Sequence, residues 1–418
     1  MSTSAKNKSE LKIELLKRPG GDGLWQRIQG LTYGRYIDWA ELQPGLMEFV
    51  YRLRARGNEV FIVSHKTEFG HFDDSKTPLR VAALTWLQNQ RIVGAGDLQV
   101  RTENVFFLAT QAEKVEKINE LKLEVFVDDL QEILCHPELS PDVRRILYST
   151  TSASDGDVST FRSWKEIAAT LVGEIDDHDV QLILDERLAN FRVLGARRVD
   201  GRGNSKIFRV NTAEGDLALK IYPDLNFDDR PRRKKEWLAV STMNRFNLQT
   251  PQAIDTDQSL NWSVFEWIHG TISDPRVSTN IVRAADFVRA LKEVRASFGN
   301  SEDFGFATES CLRPFQVVEQ IRARLDVLKT VENPALRKFV DKSLVEKLRV
   351  SEAHASKILE DSYHRELDFK DWILSPSDFG LHNSIMTPHD DLVFIDFEYF
   401  GWDAPVKLTA AFCLHPAM

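Results

Sequence analysis

Near residue 185 the hydrophobic rhythm of this chain changes, and that change rules out one repeating architecture for the whole of it. Before that point, short apolar runs alternate with helically periodic segments. A helical pattern over 45–56, closed by Gly57, leads into a buried strand at 59–64. Further strands are predicted at 105–108, 124–129 and 145–148, with helices over 112–121 and 163–171. Apolar strands separated by helices imply an α/β domain whose parallel sheet is covered on both faces. After 185 the pattern becomes hairpins and then helices. Segments 191–194 and 206–210 flank a glycine-containing turn, and 216–222 alternates as a half-buried strand. A helix is expected to start near Pro231, a residue suited to a first helical turn. From 279 to about 367 the sequence is charged and helically periodic, so a small sheet lobe precedes a helical lobe, an α+β arrangement.

This rhythm divides the chain into a first domain over 1–172, an acidic connector over 173–184 and a second domain over 185–418. The Ser/Thr/Asp/Gly-rich stretch 149–158 reads as a surface loop. With 418 residues, and roughly 150 per domain as a prior, each part is long enough to bury a core.

Charge removes some function classes. Residues 185–418 hold 32 Lys and Arg against 35 Asp and Glu, and the remainder holds 22 against 28. Neither part has the basic excess of a general nucleic-acid binder, so no nucleic-acid partner is expected. The run Arg230-Pro231-Arg232-Arg233-Lys234-Lys235 reads as the solvated first turn of a helix. Three scattered cysteines, Cys135, Cys311 and Cys413, argue against a disulfide framework and fit a reducing cytoplasm. No run of about 18 apolar residues occurs, so no membrane partner is expected and the predicted location is cytoplasmic. Oligomeric state leaves no mark in the sequence.

The chemistry concentrates near the C-terminus. Asp378 and Asn383 lie in Pro376-Ser377-Asp378-Phe379-Gly380-Leu381-His382-Asn383, and Asp396 follows the apolar run 392–395. An Asp, an Asn five residues on and an Asp at the end of a strand resembles the phosphoryl-transfer machinery of protein-kinase-like enzymes. Residues from about 190 to 418 are similar to the aminoglycoside phosphotransferase and choline kinase family, small-molecule relatives of the protein kinases. That family's loop usually reads His-Gly-Asp-Leu-His-x-x-Asn, so Pro376 stands where its first His would be. The resemblance implies a two-lobe, protein-kinase-like fold using ATP and Mg²⁺. It makes Asp378 the acceptor of the substrate hydroxyl proton and gives Asn383 and Asp396 the metal.

Other roles follow from the same resemblance. Lys220, on the alternating strand, would pair with the nucleotide phosphates, and Glu236 in the next helix would hold it. Gly201, Gly203, Asn204 and Ser205 would form the loop over the nucleotide, because glycines let backbone N–H groups approach phosphates. Glu266 and Ile268, after the strand at 262–265, would be the hinge that pairs with adenine. Glu398 either joins the metal shell or faces solvent. His382 and His415 read as packing or surface histidines rather than ligands. Trp267 and Trp402 read as core or rim aromatics, with Trp402 close enough to the metal motif to line a substrate pocket.

Residues from about 20 to 172 resemble the haloacid-dehalogenase-like phosphohydrolases. The matching pieces are Ile62-Val63-Ser64-His65-Lys66-Thr67, Lys114, and Phe126-Val127-Asp128-Asp129. In that family the Ser and Lys bind the transferring phosphoryl group and the acidic pair holds Mg²⁺, so Ser64, Lys114, Asp128 and Asp129 form the corresponding set. The family's Asp-x-Asp nucleophile motif is missing, and without a carboxylate nucleophile no phospho-aspartate forms. Either the chain starts downstream of the original first strand or the domain is a non-catalytic vestige. The other end also looks short, since the family usually continues with helices beyond the segment matching 405–409.

The expected function is therefore an ATP-dependent phosphotransferase acting on a hydroxyl of a small molecule, of sugar or amino-alcohol type. The alternatives are a non-catalytic nucleotide- or phosphate-binding regulatory protein, or a phosphatase if the first domain is active.

Overall fold

In the computed structural model, the structure describes residues 8–71, 76–149, 157–199, 204–223, 228–298 and 304–415. By backbone proximity the chain forms two compact units. The first comprises Met1–Asp216, Pro223–Asp229 and Asp257–Trp262, and the second comprises Leu217–Tyr222, Arg230–Thr256 and Ser263–Met418.

The first unit opens with helices α1 (Lys8–Leu16), α2 (Gly21–Tyr33) and α3 (Leu46–Ala55). Strand β1 (Ile62–His65), helix α4 (Leu79–Asn89), strand β2 (Val105–Leu108), helix α5 (Gln111–Glu120) and strand β3 (Val125–Asp128) follow. After them come the short α6 (Gln131–Leu134), β4 (Arg144–Tyr148), β5 (Val158–Phe161), α7 (Trp164–Val172) and α8 (Asp177–Arg187). The strands pair in parallel, β1 with β2, and β3 with β4 with β5. This parallel pairing is what continuous apolar runs separated by helices demand.

Helix α5 starts at a capping box in which Thr110 accepts from the Glu113 N–H and Glu113 reaches back to the Thr110 N–H. Its Val115 and Ile118 are fully buried with Val63, Phe126 and Leu147. The acidic segment 173–184 is mostly helical rather than an extended connector. Asp176 and Asp179 form a second capping box, and Val180, Ile183 and Leu184 are buried. Asp179 also accepts from Arg52 Nε at 2.8 Å, an ion pair with both side chains buried. Val158, expected at the end of a loop, is buried and pairs with Arg145. A four-residue strand after a polar stretch has too short a period to stand out. The unit also holds the hairpin of β6 (Val193–Val199) and β7 (Lys206–Thr212), antiparallel from Val193↔Thr212 to Val199↔Ile207.

Strand β8 (Gly215–Ile221) carries the chain into the second unit. Helix α9 (Arg232–Arg245), β9 (Ala253–Asp257), β10 (Trp262–Glu266) and β11 (Thr271–Ile272) follow, with β10 between β8 and β9 in the sheet. Then come the helices α10 (Ser278–Phe298), α11 (Pro314–Lys329), α12 (Pro334–Phe339) and α13 (Val345–Leu359), as the helical periodicity of 279–367 predicts. The chain continues through β12 (Ile373–Ser375), β13 (Ser384–Met386), β14 (Leu392–Phe394), β15 (Gly401–Asp403) and α14 (Pro405–Leu414). Strand β12 pairs with β15, and β11, β13 and β14 form an antiparallel set. No described helix is long and apolar enough to cross a membrane.

The core of the second unit gathers α9, α10 and the C-terminal strands around aromatic rings. Phe287 of α10 packs against Phe379, Phe394 and Phe397, with ring centroids 5.9, 4.5 and 6.1 Å apart. Burying each ring contributes about 1.5–3 kcal/mol. Phe379 adjoins Asp378 and Phe397 adjoins Asp396, so this one cluster fixes the backbone at both carboxylates. Trp402, on β15, is fully buried in the same core.

Candidate active site

The twelve residues between Asn383 and Asp396 are folded back by the β13–β14 hairpin. Ser384 pairs with Phe394, and Ile395 N–H donates to Asn383 O at 2.9 Å. Strand β14 is buried throughout, and the chain emerges only at Ile395 and Asp396. Asp396 has φ +67°, a left-handed conformation that Asp tolerates better than most residues. Ser377, immediately before Asp378, also has φ +67°, and its Oγ donates to Thr308 O at 2.7 Å. Non-glycine residues held in this region carry local strain, which recurs at functional sites.

Within the 376–383 loop, Asn383 Nδ2 donates to the Asp378 carbonyl at 3.0 Å. The amide oxygen of Asn383 then remains as an acceptor. Asp378 itself is half-exposed. A hydrogen bond from His382 lowers its pKa below the ordinary aspartate value, burial opposes this, and His415 and Asn383 add to the lowering. The carboxylate is ionised at neutral pH.

Lys220 occupies the middle of a buried charge cluster. Its Nζ lies 2.8 Å from Glu236 Oε2, 2.6 Å from Asp396 Oδ1 and 3.0 Å from Glu398 Oε2. Glu236 also accepts from Tyr222 OH at 2.8 Å and from the Phe397 N–H at 3.2 Å, so α9, β8 and the Asp396 loop meet on one carboxylate. Arg232, one helical turn before Glu236, forms an ion pair with Glu398. Arg232 is only 3% exposed, so the basic run at 230–235 is not a wholly solvated turn. Its partner Glu398 explains why: a buried carboxylate requires a countercharge. Glu398 accordingly does not face solvent.

The cluster holds two cations and three carboxylates, a net charge of −1. Burial opposes the charge on Lys220, but Glu236 and Asp396, with Tyr222 and Glu398, hold its pKa well above the usual lysine value. Burial raises the pKa of Glu236, opposed by Lys220 and assisted by Asp396 and Glu398. The side chain of Asp396 is 39% exposed, against 5% for Glu236 and 7% for Glu398. Asp396 is therefore the carboxylate of the three that can turn towards an incoming cation. With the Asn383 amide oxygen it offers the hard oxygen donors that Mg²⁺ prefers, so the residues fit that ion.

Of the other expected residues, Gly201 and Gly203 lie outside the described residues, while Asn204 and Ser205 immediately precede β7 in the first unit. Glu266 ends β10 exposed, and its N–H donates to Gln252 O at 2.9 Å. Ile268 is partly buried beyond it. In the first unit, Lys114 and Asp128 form a buried ion pair, and Asp128 Oδ1 accepts from the Leu130 N–H at 2.9 Å. Burial raises the Asp128 pKa against the opposing effect of Lys114. Asp129 is exposed, and Ser64 lies on β1, in a different sheet from Asp128.

Sequence reading missed Arg232 and Tyr222, yet both carry a local signal. Arg232 and Glu236 are spaced i, i+4 and share a helix face. Tyr222 lies two residues from Lys220 and shares its face of the strand.

The sequence pattern of the phosphotransferase enzyme family matches residues 196–407. Among solved structures the chain is similar to the choline kinase LicA from Streptococcus pneumoniae, at 19% identity and TM-score 0.38, over 56% of this chain and 74% of that one. It is also similar to the macrolide 2'-phosphotransferase MphH from Brachybacterium faecium, at 14% identity and TM-score 0.36, over 55% of this chain and 74% of that one. A third is the ethanolamine kinase from Plasmodium vivax, at 13% identity and TM-score 0.35, over 54% of this chain and 63% of that one. No curated protein sequence matches the chain.

Proposed function

Since the chain belongs to the phosphotransferase enzyme family, we propose that it transfers the γ-phosphoryl group of ATP to a hydroxyl of a small molecule. The observation that carries this reading is the Lys220 cluster. One lysine bridges the α9 carboxylate Glu236 and the Asp396 carboxylate, and Asn383 ties the Asp396 loop to Asp378.

Asp378, ionised and half-exposed, accepts the proton of the acceptor hydroxyl as the oxygen attacks phosphorus. The nucleotide phosphates draw Lys220 away from Asp396, while Glu236 keeps its hold on the amine. Asn383 and Asp396 would hold Mg²⁺, which when bound supplies positive charge against the phosphate oxygens. Arg232 keeps Glu398 neutralised throughout. Because Glu266 N–H is committed to Gln252, the backbone donor for the adenine edge falls to Ile268. The kinase domain spans 185–418 and encloses the whole family match. The acceptor is of sugar or amino-alcohol type.

The test is ATP turnover with a panel of hydroxyl acceptors for wild type and Asp378→Ala. Loss of the base lowers turnover by about 10²–10⁴-fold. Equal rates sink the assignment, and tight ATP binding without transfer to any acceptor favours a regulatory nucleotide binder instead.

We further infer that residues 1–172 carry a phosphohydrolase-like fold without hydrolytic activity. What supports this is the lack of an Asp-x-Asp nucleophile motif, without which no phospho-aspartate forms. A phosphatase activity of the full chain that Asp128→Asn abolishes would overturn it.

A further inference from the structure

Two imidazoles converge on the carboxylate of Asp378. His382 Nε2 lies 3.3 Å from Asp378 Oδ1, and His415 Nε2 lies 3.9 Å from the same oxygen. The rings are parallel within 5°, with centroids 3.9 Å apart. Nδ1 of His382 is buried and has no hydrogen-bond partner among the described residues. The sequence reading treats both histidines as packing or surface residues, because 382 and 415 are brought together only by folding.

Both separations exceed the about 2.7–2.9 Å of a charge-assisted hydrogen bond, the first being a long hydrogen bond between His382 and Asp378. Both approach the spacing of neighbouring ligands on one ion. Nitrogen and oxygen ligands about 2.0–2.1 Å from a tetrahedral centre lie about 3.3 Å from each other. The three donor atoms all fall within 4.8 Å of one another, and joint coordination needs the His415 ring to rotate out of its parallel stack so that both rings aim at one point. Two imidazolium cations stacked face to face would repel. A single divalent cation is attracted by the carboxylate and takes both rings in their neutral form. Two nitrogens and one carboxylate oxygen suit Zn²⁺, Co²⁺, Ni²⁺ or Cu²⁺ rather than the all-oxygen preference of Mg²⁺.

We propose that Asp378, His382 and His415 form a site for one borderline divalent transition metal of the Zn²⁺ class. It is separate from the oxygen donors Asn383 and Asp396. Occupancy takes Asp378 away from the acceptor hydroxyl and silences phosphoryl transfer. This consequence rests on the proposed role of Asp378, whereas metal binding does not.

The test titrates Co²⁺ into the metal-free full chain in saturating Mg²⁺ and follows visible absorption. One Co²⁺ per chain with an intense tetrahedral band, displaced by Zn²⁺, is expected. His382→Ala and His415→Ala each weaken binding by at least about tenfold, while Asp396→Asn leaves the band in place. No band in wild type, a band that survives in both histidine variants, or one lost in Asp396→Asn overturns the site. Should the variants unfold, imidazole ¹⁵N resonances of wild type decide, since Zn²⁺ must shift those of His382 and His415 and no others. For the regulatory step, each protein is compared with its own Zn²⁺-free rate. Zn²⁺ lowers wild-type transfer on the order of 10²-fold and leaves His415→Ala nearly unaffected. Binding without inhibition overturns the silencing. Absence of transfer even without Zn²⁺ overturns the kinase reading instead, with the Co²⁺ result standing by itself.

Discussion

Replacing Arg232 by Met tests whether the charge cluster is held by buried ion pairing. Arg232 and Glu398 are both almost fully buried, and the guanidinium lies 5.0 Å from the Tyr399 ring centroid. Met keeps much of the volume and can stay against that ring. The substitution leaves Lys220 as the single cation facing Glu236, Asp396 and Glu398, and the net charge falls from −1 to −2. Breaking a buried pair by removing one partner costs about 3–5 kcal/mol. Lys220 remains 3.0 Å from Glu398, so the lower end, about 3 kcal/mol, is expected here.

Native-state amide exchange of α9 and of Phe397, whose N–H bonds Glu236, reads this locally. A loss of about 3 kcal/mol speeds exchange there on the order of 10²-fold. Arg232→Met combined with Glu398→Met removes both charges and replaces them with apolar volume. The pair should cost less than Arg232→Met alone, giving a coupling of about 2–3 kcal/mol. An Arg232→Met protein within about 0.5 kcal/mol of wild type, or a double variant costing the sum of the two singles, would refute the reasoning.

Two further outcomes are expected. Lys220→Met should lower phosphoryl transfer on the order of 10²–10³-fold, and Lys220→Arg should not restore it, because three carboxylates close around a compact ammonium; steady-state turnover checks both. The His382 hydrogen bond holds the Asp378 pKa below its ordinary value. Its stabilisation is therefore present above the unfolded pKa and lost as pH falls through the lower folded one. Transfer should stay active below the ordinary aspartate pKa, and His382→Ala should move the acid limb of kcat/KM upward. An unchanged limb would show that the histidine does not act on Asp378.

Much of the second unit was legible because its signals are local. Period-two alternation located β8 with Lys220 on it, Pro231 marked the start of α9, and the apolar run before Asp396 became β14. The first unit was legible for the same reason, since parallel strands bury both faces and read as continuous apolar runs. The segment 173–184 misled because acidic residues serve equally as solvated connectors and as helix N-caps, and only the burial of Val180, Ile183 and Leu184 separates the two.

The sequence by itself determined the order of elements, the presence of Asp378, Asn383, Asp396 and Lys220, and the family to which they point. Tertiary structure alone decided their partners. Lys220 meets Asp396 across 176 residues and Arg232 meets Glu398 across 166. His382 stacks on His415 only because α14 packs back beside the 376–383 loop through Phe379 and Phe412. The physical reason is range. Backbone periodicity is set by neighbours a few residues apart, whereas a buried charge takes whichever countercharge the close-packed core brings within reach.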